Sequence, residues 1–173
     1  MAETRDAPNG SPNGAGGAPA GGAASSDARL SAIYQDIILD HYRRPRGKGA
    51  LDAPEGAEVL AAERRNPLCG DEIALQLALD GDVVREARFT GQGCSISQAS
   101  ASMLTQAVRG KTRAEAEALV RRFVALAHGD AEAGADPGMK ELRALQGVAR
   151  FPARIRCATL AWGALDDALK GER

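Results

Sequence analysis

Between residues 73 and 79 the chain alternates strictly. Ile73, Leu75, Leu77 and Leu79 are separated by Ala74, Gln76 and Ala78. Successive side chains of an extended strand point to opposite faces, so this pattern predicts a strand with one buried side. Asp80-Gly81 follows as a hairpin signal. Val83 to Thr90 then returns, with Val83, Ala87 and Phe89 expected on the inner face. Upstream, Glu58 to Arg65 reads as an edge strand, so residues 58–90 are expected to form a three-stranded antiparallel sheet.

Elsewhere the apolar positions recur at helical spacing. Leu30, Ile33, Tyr34, Ile37, Ile38 and Tyr42 give a first helix an apolar face. Asp27 or Ser31 signals its start, and Pro45 its end. A small-residue helix is predicted over about 97–109, with Ile96, Ala99, Ser100, Met103 and Ala107 inward and Gly110 closing it. Thr112-Arg113-Ala114-Glu115 is a capping box. It opens a helix that turns Ala116, Leu119, Val120, Phe123, Val124 and Ala127 inward and closes at His128, a helix-end residue at the negative pole of the dipole. Residues 129–138 read as a surface loop, followed by a short helix with Met139, Leu142 and Leu145 inward. Pro152 suits the first turn of a last helix, whose inward stripe is Cys157, Leu160, Ala161, Ala164, Leu165 and Ala168.

Composition bounds the rest. A chain of 173 residues implies one domain plus an extension. The extension is residues 1–28, nearly all Ala, Gly, Pro, Asn and Ser, which cannot bury enough apolar surface to offset ordering entropy. It is expected to be disordered, with the folded domain over 29–173. It lacks the apolar centre of a signal peptide. Aromatics make up 3%, so the core must be built from Ala, Leu, Val and Ile. No apolar run approaches the roughly 20 residues of a membrane span, so no membrane partner is expected. A net charge of −1 argues against nucleic acid. Three cysteines, an odd number, point to reduced thiols in the cytoplasm.

The chemistry gathers on those cysteines. Cys69 and Asp71 lie in a connection, two residues apart across Gly70, so a thiolate and a carboxylate can converge on one cation. Cys94 precedes a helix N-terminus, where free amides favour thiolate. Cys157 heads an apolar stripe and also reads as a small core residue; Arg154 and Arg156 beside it favour thiolate. The intervals are too long for a zinc-finger pattern. Three thiolates and one oxygen are a tetrahedral zinc set, while soft thiolates also take Fe–S clusters or Cu(I). The basic stretch His41 to Gly49 reads as a solvated helix end or as a docking patch for an acidic partner.

At these residues the sequence resembles the U-type (IscU/NifU N-terminal) iron–sulfur scaffold family. The likeness spans nearly all of residues 30–169. It is carried by Tyr34, by His41-Tyr42-x-x-Pro45-Arg46, and by Asn66-Pro67-x-Cys69-Gly70-Asp71. It continues through Phe89-x-Gly91-x-Gly93-Cys94-x-Ile96-Ser97-x-Ala99-Ser100-Ala101-Ser102 and Cys157-Ala158-x-Leu160. The resemblance implies an α+β fold, a small three-stranded antiparallel sheet with helices packed on one face. It also implies Cys69, Asp71, Cys94 and Cys157 as metal ligands. Arg156 stands where the IscU-like branch carries a histidine ligand, and residues 129–149 match the insertion of the SufU-like branch. That branch binds Zn(II) and acts as a zinc-dependent sulfurtransferase, accepting sulfur from a SufS-type cysteine desulfurase. The acceptor thiolate is the one matching Cys69, freed when a desulfurase histidine takes over a zinc position. Arg154 is expected to stabilise the persulfide or to pair with Asp71. The alternatives are a scaffold carrying a transient [2Fe–2S] or [4Fe–4S] cluster, and a purely structural zinc. Downstream Fe–S assembly proteins are the further expected partners. No dedicated Hsp70 site is expected, because Phe151-Pro152-Ala153-Arg154-Ile155 replaces the Leu-Pro-Pro-Val-Lys segment of the IscU-like branch.

Overall fold

A computed structural model describes residues 22–171, with side chains from Asp27 onward. Residues 1–21, most of the expected extension, lie outside the described residues. The alternating segment is strand β2 (Asp71–Asp80), the centre of a sheet ordered β1-β2-β3 with β1 (Glu58–Asn66) and β3 (Val83–Gln92) antiparallel on either side. Ile73, Leu75, Leu77 and Leu79 are buried, as the alternation requires. On β3 the inner residues are Val84, Ala87 and Phe89, so Val83 is displaced from the expected face. The cause is a register shift beside Ala78/Leu79, where Ala78 pairs Glu86 and Leu79 pairs Val84. The extra residue, Arg85, reverses the alternation on the turn side.

Helix α1 (Gly22–Arg43) starts before the capping signals at Asp27 and Ser31. Its apolar face is only partly covered: Tyr34, Ile37 and Ile38 pack on the core, while Leu30, Ile33 and Tyr42 stay exposed. Helix α2 (Ser95–Val108) lies against β3, and α5 (Pro152–Lys170) against β1 and β2. Ser97 to Thr105 are all buried, so α2 is enclosed on every side rather than on the one face that its periodicity marks. Its small residues permit this close approach. Ser100 Oγ donates to Ala158 O at 2.6 Å and accepts the Trp162 indole N–H at 3.0 Å. Helix α3 (Arg113–Ala127) carries the expected capping box and stacks Phe123 on Trp162, with ring centroids 4.2 Å apart.

Two stretches differ from expectation. Residues 129–138 contain a short helix, α4 (Ala131–Ala135), capped by Asp130, whose side chain accepts from Ala133 N–H; five residues are too few to show a period. A 3₁₀ segment, Pro137–Arg150, follows and buries Met139, Leu142 and Leu145. The basic turn after α1 is tied inward. His41 is 2% exposed, with Nδ1 2.8 Å from Ser102 Oγ and Nε2 3.1 Å from Glu141. Arg44 and Arg46 both pair with Asp40, Lys48 donates to Gln98, and Gly47 and Gly49 continue the ladder along Phe89 of β3. The turn extends the sheet edge along Phe89, while Arg43, Arg44 and Lys48 remain exposed on it. Among the described residues no helix is long and apolar enough to cross a membrane.

Candidate metal and thiol site

Asn66 and Asp71 form the last pair of the β1–β2 ladder, leaving Pro67, Leu68, Cys69 and Gly70 as the loop. Buried Asn66 shapes it: Leu68 N–H donates to its side-chain oxygen at 3.2 Å, and Gly70 N–H to its carbonyl at 2.8 Å. Gly70 takes φ 73°, a conformation open to glycine at little cost. The loop leaves Cys69 exposed, while Asp71, the first residue of β2, is 2% exposed. Thiol and carboxylate two residues apart therefore face one point from opposite sides of the protein surface.

Cys94 is the N-cap of α2. Its N–H donates to Asp71 Oδ1 at 3.0 Å. Gly93 allows this approach: a Cβ there would lie 2.5 Å from Ser97 Oγ and 2.7 Å from the Asp71 carboxylate. Burial pushes the Asp71 carboxyl up, but the Cys94 N–H and the Cys69, Ser97 and Cys157 side chains outweigh it. The group stays below the usual carboxylate range. Asp71 Oδ2 is buried and has no hydrogen-bond partner. Gly93, Ser97 and Asn66 were not singled out as site residues from sequence. Their signals are the glycine before Cys94, a serine in the first turn of a helix, and the Asn-Pro turn pair.

Cys157 arrives from α5, 3% exposed, with its Sγ 3.8 Å from Cys69 Sγ and 3.4 Å from Ala153 O. Burial raises its thiol pKa, and so do Cys94, Cys69 and Asp71 around it. Both sequence readings of Cys157 hold together: it is a core residue that faces the site. The ligand atoms of Cys69, Asp71 and Cys157 lie within 4.8 Å of one another. Cys94 adjoins Cys157 but is not in that trio.

The donor set fits zinc. Zn–S bonds of about 2.3 Å in a tetrahedron put two sulfurs about 3.8 Å apart, the separation of Cys69 and Cys157. A disulfide needs about 2.05 Å. The orphaned Asp71 oxygen is the further donor, and an unsatisfied buried carboxylate oxygen is costly unless something meets it.

Arg154 does not form the expected pair with Asp71. It is exposed on the first turn of α5, and the enclosed Asp71 carboxylate is met by Cys94 N–H. Arg156, immediately before Cys157, is also exposed and offers no ligand atom. His128 caps α3, its Nδ1 2.8 Å from Val124 O, and takes no part in the site.

The family model for the NifU-like N terminal domain matches residues 33–171. The chain is 44% identical over 148 residues to the zinc-dependent sulfurtransferase SufU of Bacillus subtilis (strain 168), covering 86% of this chain and 97% of that protein. It is 43% identical over 143 residues to the iron–sulfur cluster assembly scaffold protein IscU of Streptococcus pyogenes serotype M1, covering 83% and 86%. A solved structure assigned as an iron–sulfur cluster assembly scaffold protein of the SUF system, from Fervidobacterium islandicum AW-1, superposes with a TM-score of 0.66 at 30% identity, covering 80% of this chain and 97% of that one.

Proposed function

The chain belongs to the NifU-like N-terminal domain family, and on that premise we propose that it is a zinc-dependent sulfurtransferase of iron–sulfur cluster assembly, taking persulfide sulfur on Cys69. The observation that carries this reading is the contrast within the trio: Cys69 is exposed, while Asp71 and Cys157 beside it are buried. One thiol can leave and meet a partner while the others stay in place.

Cys69, Asp71 and Cys157 would hold the metal, joined by Cys94. Bound zinc supplies a Lewis acid that keeps these thiols deprotonated at neutral pH and guards them from oxidation. The remaining chemistry belongs to the chain. The Cys69 thiolate attacks the outer sulfur of a cysteine persulfide on the donor. The donor's S–S bond breaks, its cysteine leaves as thiolate, and a new S–S bond forms on Cys69, with no net oxidation. Arg154, exposed one turn before Cys157, would neutralise the terminal sulfur of that persulfide. The donor is a SufS-type cysteine desulfurase, the recipients are downstream Fe–S assembly proteins, and the compartment is the cytoplasm.

A scaffold reading uses the same thiols for a [2Fe–2S] cluster, and the relative named IscU is nearly as similar. The carrier reading is favoured by Arg156, which leaves the site one ligand atom short of the set with histidine before the third cysteine. The test is metal and labile sulfide content after anaerobic purification, then the effect on desulfurase turnover. The expected result is about one zinc per chain, no sulfide, and a stimulation that Cys69→Ala abolishes. Equal iron and sulfide in a transferable cluster would establish the scaffold instead.

A further inference from the structure

A cavity of about 430 Å³ lies between the end of α2, the turn into α3 and the 3₁₀ segment. It is remote from the thiol site, because Cys94 heads α2 and Arg109 ends it, about 22 Å away along the helix axis. Its floor is apolar and buried, made by Met103, Leu119, Met139 and Leu142. Arg109, Lys111 and Lys140 also line it. None of these three closes an ion pair among the described residues. Glu141, in the same wall, is bonded to buried His41. Glu115, which feels the charge of Lys111, is held by Thr112 N–H in the capping box. Three separate elements thus bring three unneutralised cations to one concave space. The backbone gives a second, independent sign. Lys140 stands at φ 44° and ψ −125°, the one non-glycine residue at positive φ among the described residues. An L-residue keeps such a conformation only where its surroundings over-determine it, and residues of this kind gather at ligand sites.

We propose that this cavity binds a compact phosphate ester with a short aliphatic body. Its volume falls in the range of small-molecule sites. One guanidinium fork with two ammonium groups is a donor set suited to a phosphate dianion. No aromatic side chain is among the described lining residues, so nothing is there to stack on a nucleobase. The Met and Leu floor adapts instead to an aliphatic chain. Residues 138–142 supply one wall, and they belong to the stretch 129–149 that the thiol site leaves unused. Binding here is independent of the reading of Cys69 as sulfur acceptor.

The experiment titrates glycerol 3-phosphate into the zinc-loaded full chain by calorimetry at constant ionic strength, with glycerol as the uncharged control. Saturable binding of the phosphate ester and none of glycerol is expected. Lys140→Gly removes the cation and relaxes the backbone, so this variant should unfold no earlier than the parent. It should nonetheless bind at least about tenfold more weakly, the loss of one charge-assisted hydrogen bond. Arg109→Ala should weaken binding to a similar degree, whereas Lys140→Arg, which keeps the charge, should stay within about threefold of the parent. Adenosine monophosphate should bind no tighter than glycerol 3-phosphate. A parent with no saturable binding at millimolar ligand would overturn the site. So would Lys140→Gly and Arg109→Ala variants that bind within about twofold of a binding parent, since the anion would then sit elsewhere. A marked preference for the nucleotide would overturn the ligand class.

Discussion

Gly93→Ala tests the site with a single methyl group placed outside the expected ligands. Ordinary Cβ contacts begin near 3.4 Å, whereas this Cβ would stand 2.7 Å from the Asp71 carboxylate and 2.5 Å from Ser97 Oγ. The carboxylate must therefore retreat by about 0.7 Å, well beyond the roughly 0.2 Å that a metal ligand tolerates. The retreat also strains the 3.0 Å bond from Cys94 N–H, a charge-assisted hydrogen bond worth about 1.5–3 kcal/mol. The expected outcome is a stability loss of about 2 kcal/mol and zinc affinity reduced about 10–100-fold. Competition with a chromophoric chelator reads the affinity, and thermal unfolding of the metal-free protein reads the stability. Thr112→Ala is the control. It breaks the capping box in which Thr112 Oγ1 accepts Glu115 N–H at 3.2 Å, costs about 1 kcal/mol, and leaves zinc binding as it was. If Gly93→Ala bound zinc within threefold of the parent, or lost it only in proportion to unfolding, Asp71 would not be held at the metal by this packing.

Two further predictions concern the scaffold. Arg64 holds Asp167 with paired hydrogen bonds of 2.5 and 2.7 Å, and this lowers the Asp167 pKa. A lowered carboxylate contributes stability above its unfolded pKa and loses it as pH falls through the folded value. Arg64→Ala should thus cost about 0.5–1 kcal/mol at neutral pH, discounted for the half-exposed guanidinium. The gap in Tm from the parent should close as acid protonates Asp167; a constant gap from pH 7 to about pH 2 would refute the assignment. Ser100→Ala leaves the Trp162 indole N–H buried without its acceptor and should cost about 2 kcal/mol in urea unfolding, whereas an unchanged midpoint would mean that another acceptor takes over.

Much of this could be read in the sequence, because most elements carry their own period. The β2 alternation, the Thr112 capping box and the stripe on α5 each depend on residues within one element, and each stands as expected. What was not legible depends on neighbours. Val84 replaces Val83 inside because a bulge, invisible in composition, reverses the phase. His41 is buried because Ser102 and Glu141 come to it from 61 and 100 residues away. At the site, the local settings of the cysteines and the family resemblance, not spacing, pointed to Cys69, Asp71 and Cys157, and neither showed that Asp71 would accept from Cys94 N–H rather than pair with Arg154. Nor did either show that Cys94 would adjoin the other three rather than close with them.

Cys69 and Cys157 are 88 residues apart in the chain, and Asp71 and Cys94 are 23 apart. No fragment ending before α5 contains the complete donor set. An ion that bridges these segments therefore binds only the finished topology, and mass action turns that selectivity into stability. At a free concentration about a hundredfold above the dissociation constant, the linkage adds about 2.7 kcal/mol to the folded state. That is comparable to a disulfide joining the same strands of chain, but it is set by metal supply and withdrawn by any chelator. Occupancy of the thiol centre thus acts as a certificate that the sheet and the last helix have met, issued before the exposed sulfur is put to use.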